Sequence, residues 1–162
     1  MSDLTIREAI ESDSDKIHQL LMDLAAFEKI EHTVEATNES THSALFGDSP
    51  SAEAIVAEFD NQIIGAAVYF NNYSTFVGKK GLYLEDIYVR PEFRGKEIGR
   101  KMLFNLAKIA EQRDCGRMEW TVLDWNCRAI DFYNEMGAEI LNEWKIVRLD
   151  AQGIQNLSNK SQ

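Results

Sequence analysis

The sequence predicts an α/β (α+β) domain with a mixed sheet and helices on both faces. Three observations carry this. Residues 12–31 and 97–113 repeat apolar positions at helical period. Between them lie three strand-like runs, "AEAIVAEFD", "QIIGAAVYFNNYS" and "GLYLEDIYV". A further strand-like run, "RMEWTVLDW", follows the second helix, so the crossover from "YLEDIYV" demands two parallel neighbours.

In order, "LTIREA" reads as a short strand ending in a polar turn. The first helix carries Ile17, Leu20, Leu21, Leu24 and Phe27 on one face, with Asp13, Ser14 and Asp15 capping its start. A second helix over "ATNESTHSALFG" is closed by Gly47. Asp60-Asn61 is a hairpin turn between the first two long strands. The helix over 97–113 aligns Ile98, Met102, Leu103, Leu106 and Ile109. After "RMEWTVLDW" come a helix over "NCRAIDFYNEM" ended by Gly137 and a last strand, "EWKIVRLD". The polar tail 151–162 is expected to fray. Domain limits are therefore 1–150 for one domain and 151–162 for the tail.

The 162 residues suffice for one sizeable core, and no apolar run is long enough to span a bilayer. No secretory signal is evident, and Cys115 and Cys127 fit no metal spacing, so a reducing cytoplasm is the expected setting and both thiols are expected to be small buried side chains. His18, His32 and His42 form no metal-ligand pattern either. The net charge is −10 and uneven: residues 1–60 hold 14 acids against three bases, residues 79–117 ten bases against six acids. So acidic a chain disfavours nucleic acid as a partner, and no membrane partner is expected. The split fits an anionic ligand near the basic segment and a cationic one near the rest.

The basic segment centres on "RGKEIGRK", where a strand and turn open a helix. A helix N-terminus offers backbone N–H groups and a favourable dipole to phosphate, and Gly95 and Gly99 permit close approach. Neither the P-loop nor the G-x-G-x-x-G pattern is present. "LYLEDIYV" sets two carboxylates, Glu85 and Asp86, inside an apolar strand, where charge is costly without a site or partner. Strict alternation puts Glu85, Ile87 and Val89 on one face and Asp86 and Tyr88 on the other.

"YVRPEFRGKEIGRKML" resembles the acetyl-CoA signature of the GNAT N-acetyltransferases, Arg/Gln-x-x-Gly-x-Gly/Ala, with Arg94 and Gly99 matching its ends and Glu97 standing where the family has its first glycine. "AAFEKIE", "NYSTF", "YLEDIYV", "VLDWN" and "AIDFYNEMGA" extend the resemblance over residues 4–150, to the diamine acetyltransferase branch and, within it, more to its thialysine type than to its spermidine/spermine type. The resemblance implies a mostly antiparallel sheet of six to seven strands, a splayed central cleft, a homodimer, acetyl-CoA as co-substrate and no metal. It implies that Ile87, Tyr88 and Val89 hold the acetyl and pantetheine part through their backbone. It implies that Arg94, Gly95, Lys96, Glu97, Ile98, Gly99 and Arg100 cradle the pyrophosphate, and that Asn126 and Tyr133 lie near the pantetheine and sulfur. Tyr133 would protonate the sulfur and Glu85 would bind and deprotonate the amine, with a bulge freeing the N–H of Ile87 or Tyr88. Phe27, Glu28, Phe76, Glu85, Asp86, Trp120 and Trp144 would line the acceptor side.

The implied reaction is direct acetylation of a small cationic amine, lysine-like or a short diamine. Polyamines are the alternative, as are a peptide acceptor and a non-catalytic acyl-CoA-binding module motivated by Glu97. Glu97 itself could point outward, favourable to the helix dipole, or inward, repelling the pyrophosphate. The outward orientation is expected, leaving a usable but weakened site.

Overall fold

A computed structural model describes residues 4–160. They divide into two compact units, at Thr121/Val122. The first and last residues of the ranges 1–150 and 151–162, residues 1–3 and 161–162, lie outside the described ones.

The first unit is a five-stranded sheet in sequence order: β1 (Leu4–Glu8), β2 (Glu53–Phe59), β3 (Gln62–Ser74), β4 (Lys79–Val89) and β5 (Met118–Glu119). All neighbours are antiparallel except β4 and β5, which are parallel as the crossover requires. The β2–β3 turn is built as expected: Asp60 and Asn61 both take positive φ, 49° and 60°, matching the twist of the hairpin.

Both faces of the sheet are covered, so Ala54–Ala57 are buried without alternation. One face packs on α1 (Ser14–Phe27), whose Ile17 and Leu20 are fully buried against Val56, Ala66, Val68 and Tyr88. α2 (Asn38–Phe46), capped by Thr37, which accepts from Ser40 N, adds Leu45 to that cluster. The other face packs on α3 (Ile98–Gln112), which buries Ile98, Met102, Leu103, Leu106 and Ala110. Arg113, after α3, donates to both carboxylate oxygens of Glu53 at 2.7 Å and lies 5.7 Å from the Tyr69 ring centroid, fixing the helix end to β2 and β3.

Asp13 does not cap α1 with its side chain. It turns back, accepting from Arg7 at 2.7 Å and from the Ile10 N–H at 2.9 Å, while Arg7 also pairs with Glu58. Burial opposes ionisation of Asp13, but the Arg7 and Ile10 bonds win and hold the carboxyl below its ordinary range.

The second unit contains α4 (Cys127–Glu135) and α5 (Ala151–Asn159). α4 ends at Gly137, whose φ of 89° suits a glycine past a helix end. Three expectations are corrected. The strand over "RMEWTVLDW" is only Met118–Glu119. "EWKIVRLD" forms no strand among the described residues: strand propensity needs a ladder partner, and Ile146 and Val147 stay exposed. The described part of the tail is helical rather than frayed, because Asp150 accepts from Gly153 N at 2.7 Å and caps α5. The sheet consequently has five strands instead of six or seven. No helix among the described residues is long and apolar enough to cross a membrane.

Removing Arg7 strands Asp13 in a buried position. Arg7→Ala is expected to lower stability in urea by about 3 kcal/mol at pH 7, with much of the loss recovered by adding Asp13→Asn. Because the Asp13 carboxyl is depressed, the wild-type advantage is full above the ordinary carboxylate range and fades as pH falls through its folded-state value.

Candidate active site

Two features of the first unit shape the site. The β4–β5 ladder contains only Leu82↔Met118 and Tyr83↔Glu119, whereas β4 stays paired with β3 to Val89. Leu84–Val89 thus run on with no β5 residue opposite, leaving that edge of the strand for another partner.

The second feature is a bulge in β4. Val68 faces Asp86 and Tyr69 faces Leu84, so Glu85 is the extra residue. Strict alternation fails there. Ile87 and Val89 share a face, but Glu85 leaves the ladder and is exposed, while Asp86 lies opposite Val68 on the same face as Tyr88. The strand is thus bulged just before Ile87 and Tyr88, with Glu85 as the extra residue.

Asp86 is half-buried, with no hydrogen-bond or ion-pair partner among the described residues. Burial, reinforced by the negative charges of Glu85 and Glu28, pushes its carboxyl up to about 6. Glu28, just past the end of α1, is also raised by burial. Asp86 thus lies close enough to Glu85 and Glu28 to feel both, without an arginine that would make it a structural ion pair. Such a group is ready for a cation.

Beyond β4, a short turn at Pro91–Phe93 leads into the loop before α3. Gly95 has φ +77°, and Glu97, the N-cap of α3, has φ 59° and ψ 16°, the left-handed conformation. This explains the family glycine: the turn needs positive φ, and Glu97 adopts it at a steric cost. Its side chain points outward, 69% exposed, with Oε1 3.5 Å from Arg100 Nε. Gly99 has no such backbone demand, and a Cβ built there meets nothing within 4 Å. Its lack of a side chain serves no internal packing; it keeps the first turn of α3 open to an approaching group. The open turn, its helix dipole and the uncovered β4 edge fit a pyrophosphate followed by an amide-bearing arm, as acetyl-CoA has.

The other basic side chains of the loop are engaged. The Lys96 ammonium lies 5.4 Å from the Phe93 ring centroid and 5.8 Å from that of Phe59. The Arg94 guanidinium lies 5.1 Å from the Phe27 centroid and 5.1 Å from that of Tyr88, and its Nε donates to Val89 O at 2.9 Å. Ile98 and Tyr88 bury their side chains in the core, leaving backbone groups for a ligand.

Glu28, Glu85, Asp86, Phe27 and the 94–100 loop are thus grouped around one end of β4. Phe76 is not. It stands 97% exposed in the β3–β4 turn, while Lys79 and Glu85, six residues apart, are separated by roughly 20 Å of strand. Trp120 is half-buried just after β5. In the second unit, Asn126 caps α4, its Oδ1 accepting from Ala129 N at 3.3 Å; Tyr133 is buried on α4 and Trp144 is 73% exposed. Cys115 is half-buried and Cys127 exposed in the first turn of α4, so the buried-thiol expectation fails for Cys127. Among the described residues no His, Cys, Asp and Glu side chains gather to hold a metal ion.

Residues 15–138 match the family model of the Acetyltransferase (GNAT) family. This chain belongs to that family. It is an acetyltransferase, with acetyl-CoA as the acetyl donor. The chain is 36% identical to a thialysine N-epsilon-acetyltransferase of Bos taurus, over 99% of this chain and 100% of that one. It is 30% identical to an L-ornithine N5-acetyltransferase of Arabidopsis thaliana, over 93% and 86% of the two chains. Among solved structures, an integron cassette protein from the mobile metagenome of V. cholerae superposes with a TM-score of 0.79 at 23% identity, covering 96% of this chain and 97% of that one. That likeness shows the fold.

Two substitutions separate the roles of the turn. Glu97→Gly relieves the left-handed backbone and is expected to stabilise the protein by about 0.5–1 kcal/mol in thermal unfolding, with acetyl-CoA affinity equal or higher. Gly99→Leu should leave thermal stability intact, since a Cβ added there meets nothing within 4 Å, yet weaken acetyl-CoA binding at least about tenfold by calorimetry.

Proposed function

We propose that the protein acetylates the primary amine of a small cationic acceptor, lysine-like or a short diamine, by direct attack in a ternary complex. The observation that carries this is the trio Glu28, Glu85 and Asp86, unpaired with any arginine and lying at the β4 bulge, close to the turn suited to pyrophosphate. Relatives named for thialysine and ornithine acetylation support the acceptor class.

In this reading the thioester of acetyl-CoA supplies the acetyl group. The backbone of Ile87, Tyr88 and Val89 holds the pantetheine arm, and residues 94–100 cradle the phosphates, with Ile98 and Gly99 contributing through the first turn of α3. Glu28 and Asp86 attract the ammonium, and Glu85, exposed at the bulge, accepts its proton through water. An N–H turned out by the bulge polarises the carbonyl. Tyr133 holds a proton at its hydroxyl for the departing sulfur, and Asn126 orients the arm beside its capping role. Phe27, Trp120 and Trp144 line the acceptor path, and Phe76, far along β4 from the carboxylates, does not. The working form is a homodimer in the cytoplasm, with residues 1–150 acting as one functional domain. A pure binding module has less support, because the outward Glu97 removes its motive.

The test is release of free coenzyme A from acetyl-CoA with thialysine, lysine, ornithine, short diamines and spermidine. Turnover with a short acceptor, at least about tenfold better than with spermidine in kcat/KM, supports the reading. Preference for spermidine moves the chain to the polyamine type, and silence with every amine despite acetyl-CoA binding contradicts the reading. Tyr133→Phe and Glu85→Gln should each lower kcat by about 10²-fold or more.

Asp86 makes a separate prediction. Its carboxyl, held near 6, binds a proton more tightly folded than unfolded, so its ionisation costs stability as pH rises through that range. Asp86→Asn is expected to stabilise the protein at pH 8 by about 1–2 kcal/mol, after allowance for its partial exposure, while abolishing the rise of kcat/KM with pH around 6.

A further inference from the structure

The first turn of α3 suits a pyrophosphate, but coenzyme A carries a 3′-phosphate and an adenine beyond it. α3 itself runs on from that turn. Its core face is formed by Ile98, Met102, Leu103, Leu106 and Ala110. On the face turned away from these, three and four residues apart, stand Lys101, Phe104 and Lys108, all exposed. The Phe104 side chain is 51% exposed at the centre of that stripe, so core packing does not explain it.

The basic side chains nearest the turn are already engaged. Arg94 Nε donates to Val89 O, and the Lys96 ammonium lies over the rings of Phe59 and Phe93. Arg100 Nε lies 3.5 Å from Glu97 Oε1, so the residue that replaces the family glycine also offsets a cation of the cradle. Lys101 and Lys108, by contrast, have no side-chain hydrogen bond or ion pair among the described residues. Lys101 is thus the first uncommitted cation after the turn.

We propose that Lys101 holds the 3′-phosphate of the coenzyme and that Phe104 stacks on its adenine, which makes the outward stripe of α3 the nucleotide half of the acetyl-CoA site. The spacing carries this. Lys101 directly follows the segment 94–100, and Phe104 stands roughly 4.5 Å farther along the helix axis. The 5′-diphosphate and the 3′-phosphate share one ribose, so a pyrophosphate on the first turn brings the monoester to the side chains that follow it. A phosphate monoester carries about −1.5 to −2 charges at pH 7 and suits a compact ammonium. A nucleobase offers its π face to an exposed ring. Lys108, a further turn on, contributes only to the general field. The inference rests on the reading of residues 94–100 as the pyrophosphate cradle and is independent of the amine acceptor.

The test compares coenzyme A with dephospho-coenzyme A by calorimetry. The unaltered protein is expected to bind coenzyme A at least about tenfold more tightly. Lys101→Gln should abolish that preference and leave dephospho-coenzyme A affinity within about twofold. Lys108→Gln removes the same charge farther along the stripe and should keep the preference, which separates a contact from the general field. Phe104→Leu should weaken both ligands alike, about tenfold, and cancel the upfield shift that the ring imposes on the adenine proton resonances. These three side chains are exposed, so the variants keep the core intact. Equal affinity for the two ligands in the unaltered protein, or a preference that survives Lys101→Gln, overturns the phosphate assignment. Adenine resonances that are unshifted, or equally shifted in Phe104→Leu, overturn the stacking. Gly99→Leu separates the proposal from the cradle: if it spares both affinities while Lys101→Gln still abolishes the preference, the cradle reading fails and the 3′-phosphate site stands. Failure of the unaltered protein to bind either ligand overturns both.

Discussion

The active-site end of this protein depends on one constraint: β4 is fully paired along one edge and barely paired along the other. Its ladder with β3 runs from Lys79 to Val89, whereas its ladder with β5 stops after Leu82 and Tyr83. Backbone N–H and C=O groups that are denied a partner must find one elsewhere, and the linear, amide-bearing arm of acetyl-CoA suits that role. Both faces of the same strand are packed, on α1 and α3. The edge is therefore held rigidly by the core while remaining unmatched.

The bulge at Glu85 adds the chemistry to that edge. In a regular ladder, adjacent carboxylates would lie on opposite faces and serve different neighbours. Asp86 shares a face with Tyr88 by ordinary alternation, and the one extra residue sets it on the opposite face from Leu84 and releases Glu85 to solvent. The result is a half-buried acid, held near 6 by burial and by its neighbours Glu85 and Glu28. An acid so placed destabilises the folded chain when ionised, and the cost makes sense when a cationic ligand offsets it.

Much of this was legible in the sequence. The two long helices, their buried faces and the Asp60-Asn61 hairpin followed from periodicity and turn chemistry. The turn into α3 was legible from its glycines and its position after a strand, and Gly95 does take a positive φ. Glu97 was ambiguous, because sequence does not show φ; the left-handed backbone and the outward carboxylate settle its orientation. The bulge was invisible, since "LYLEDIYV" alternates acceptably in either register. The stacking of Arg94 on Phe27 joins residues 67 positions apart, which no local pattern encodes. The segment 143–150 misled in the opposite sense, since apolar β-branched residues describe what a strand would contain and say nothing of a partner for it.

Hydrogen–deuterium exchange with and without coenzyme A tests most directly the claim that the unmatched β4 edge and the turn into α3 form one ligand surface. Slower exchange is predicted on binding in the peptides covering 84–89 and 95–101, with little change across β1 and β2. Protection confined to other segments, or none in 84–89 at saturating ligand, would contradict the account.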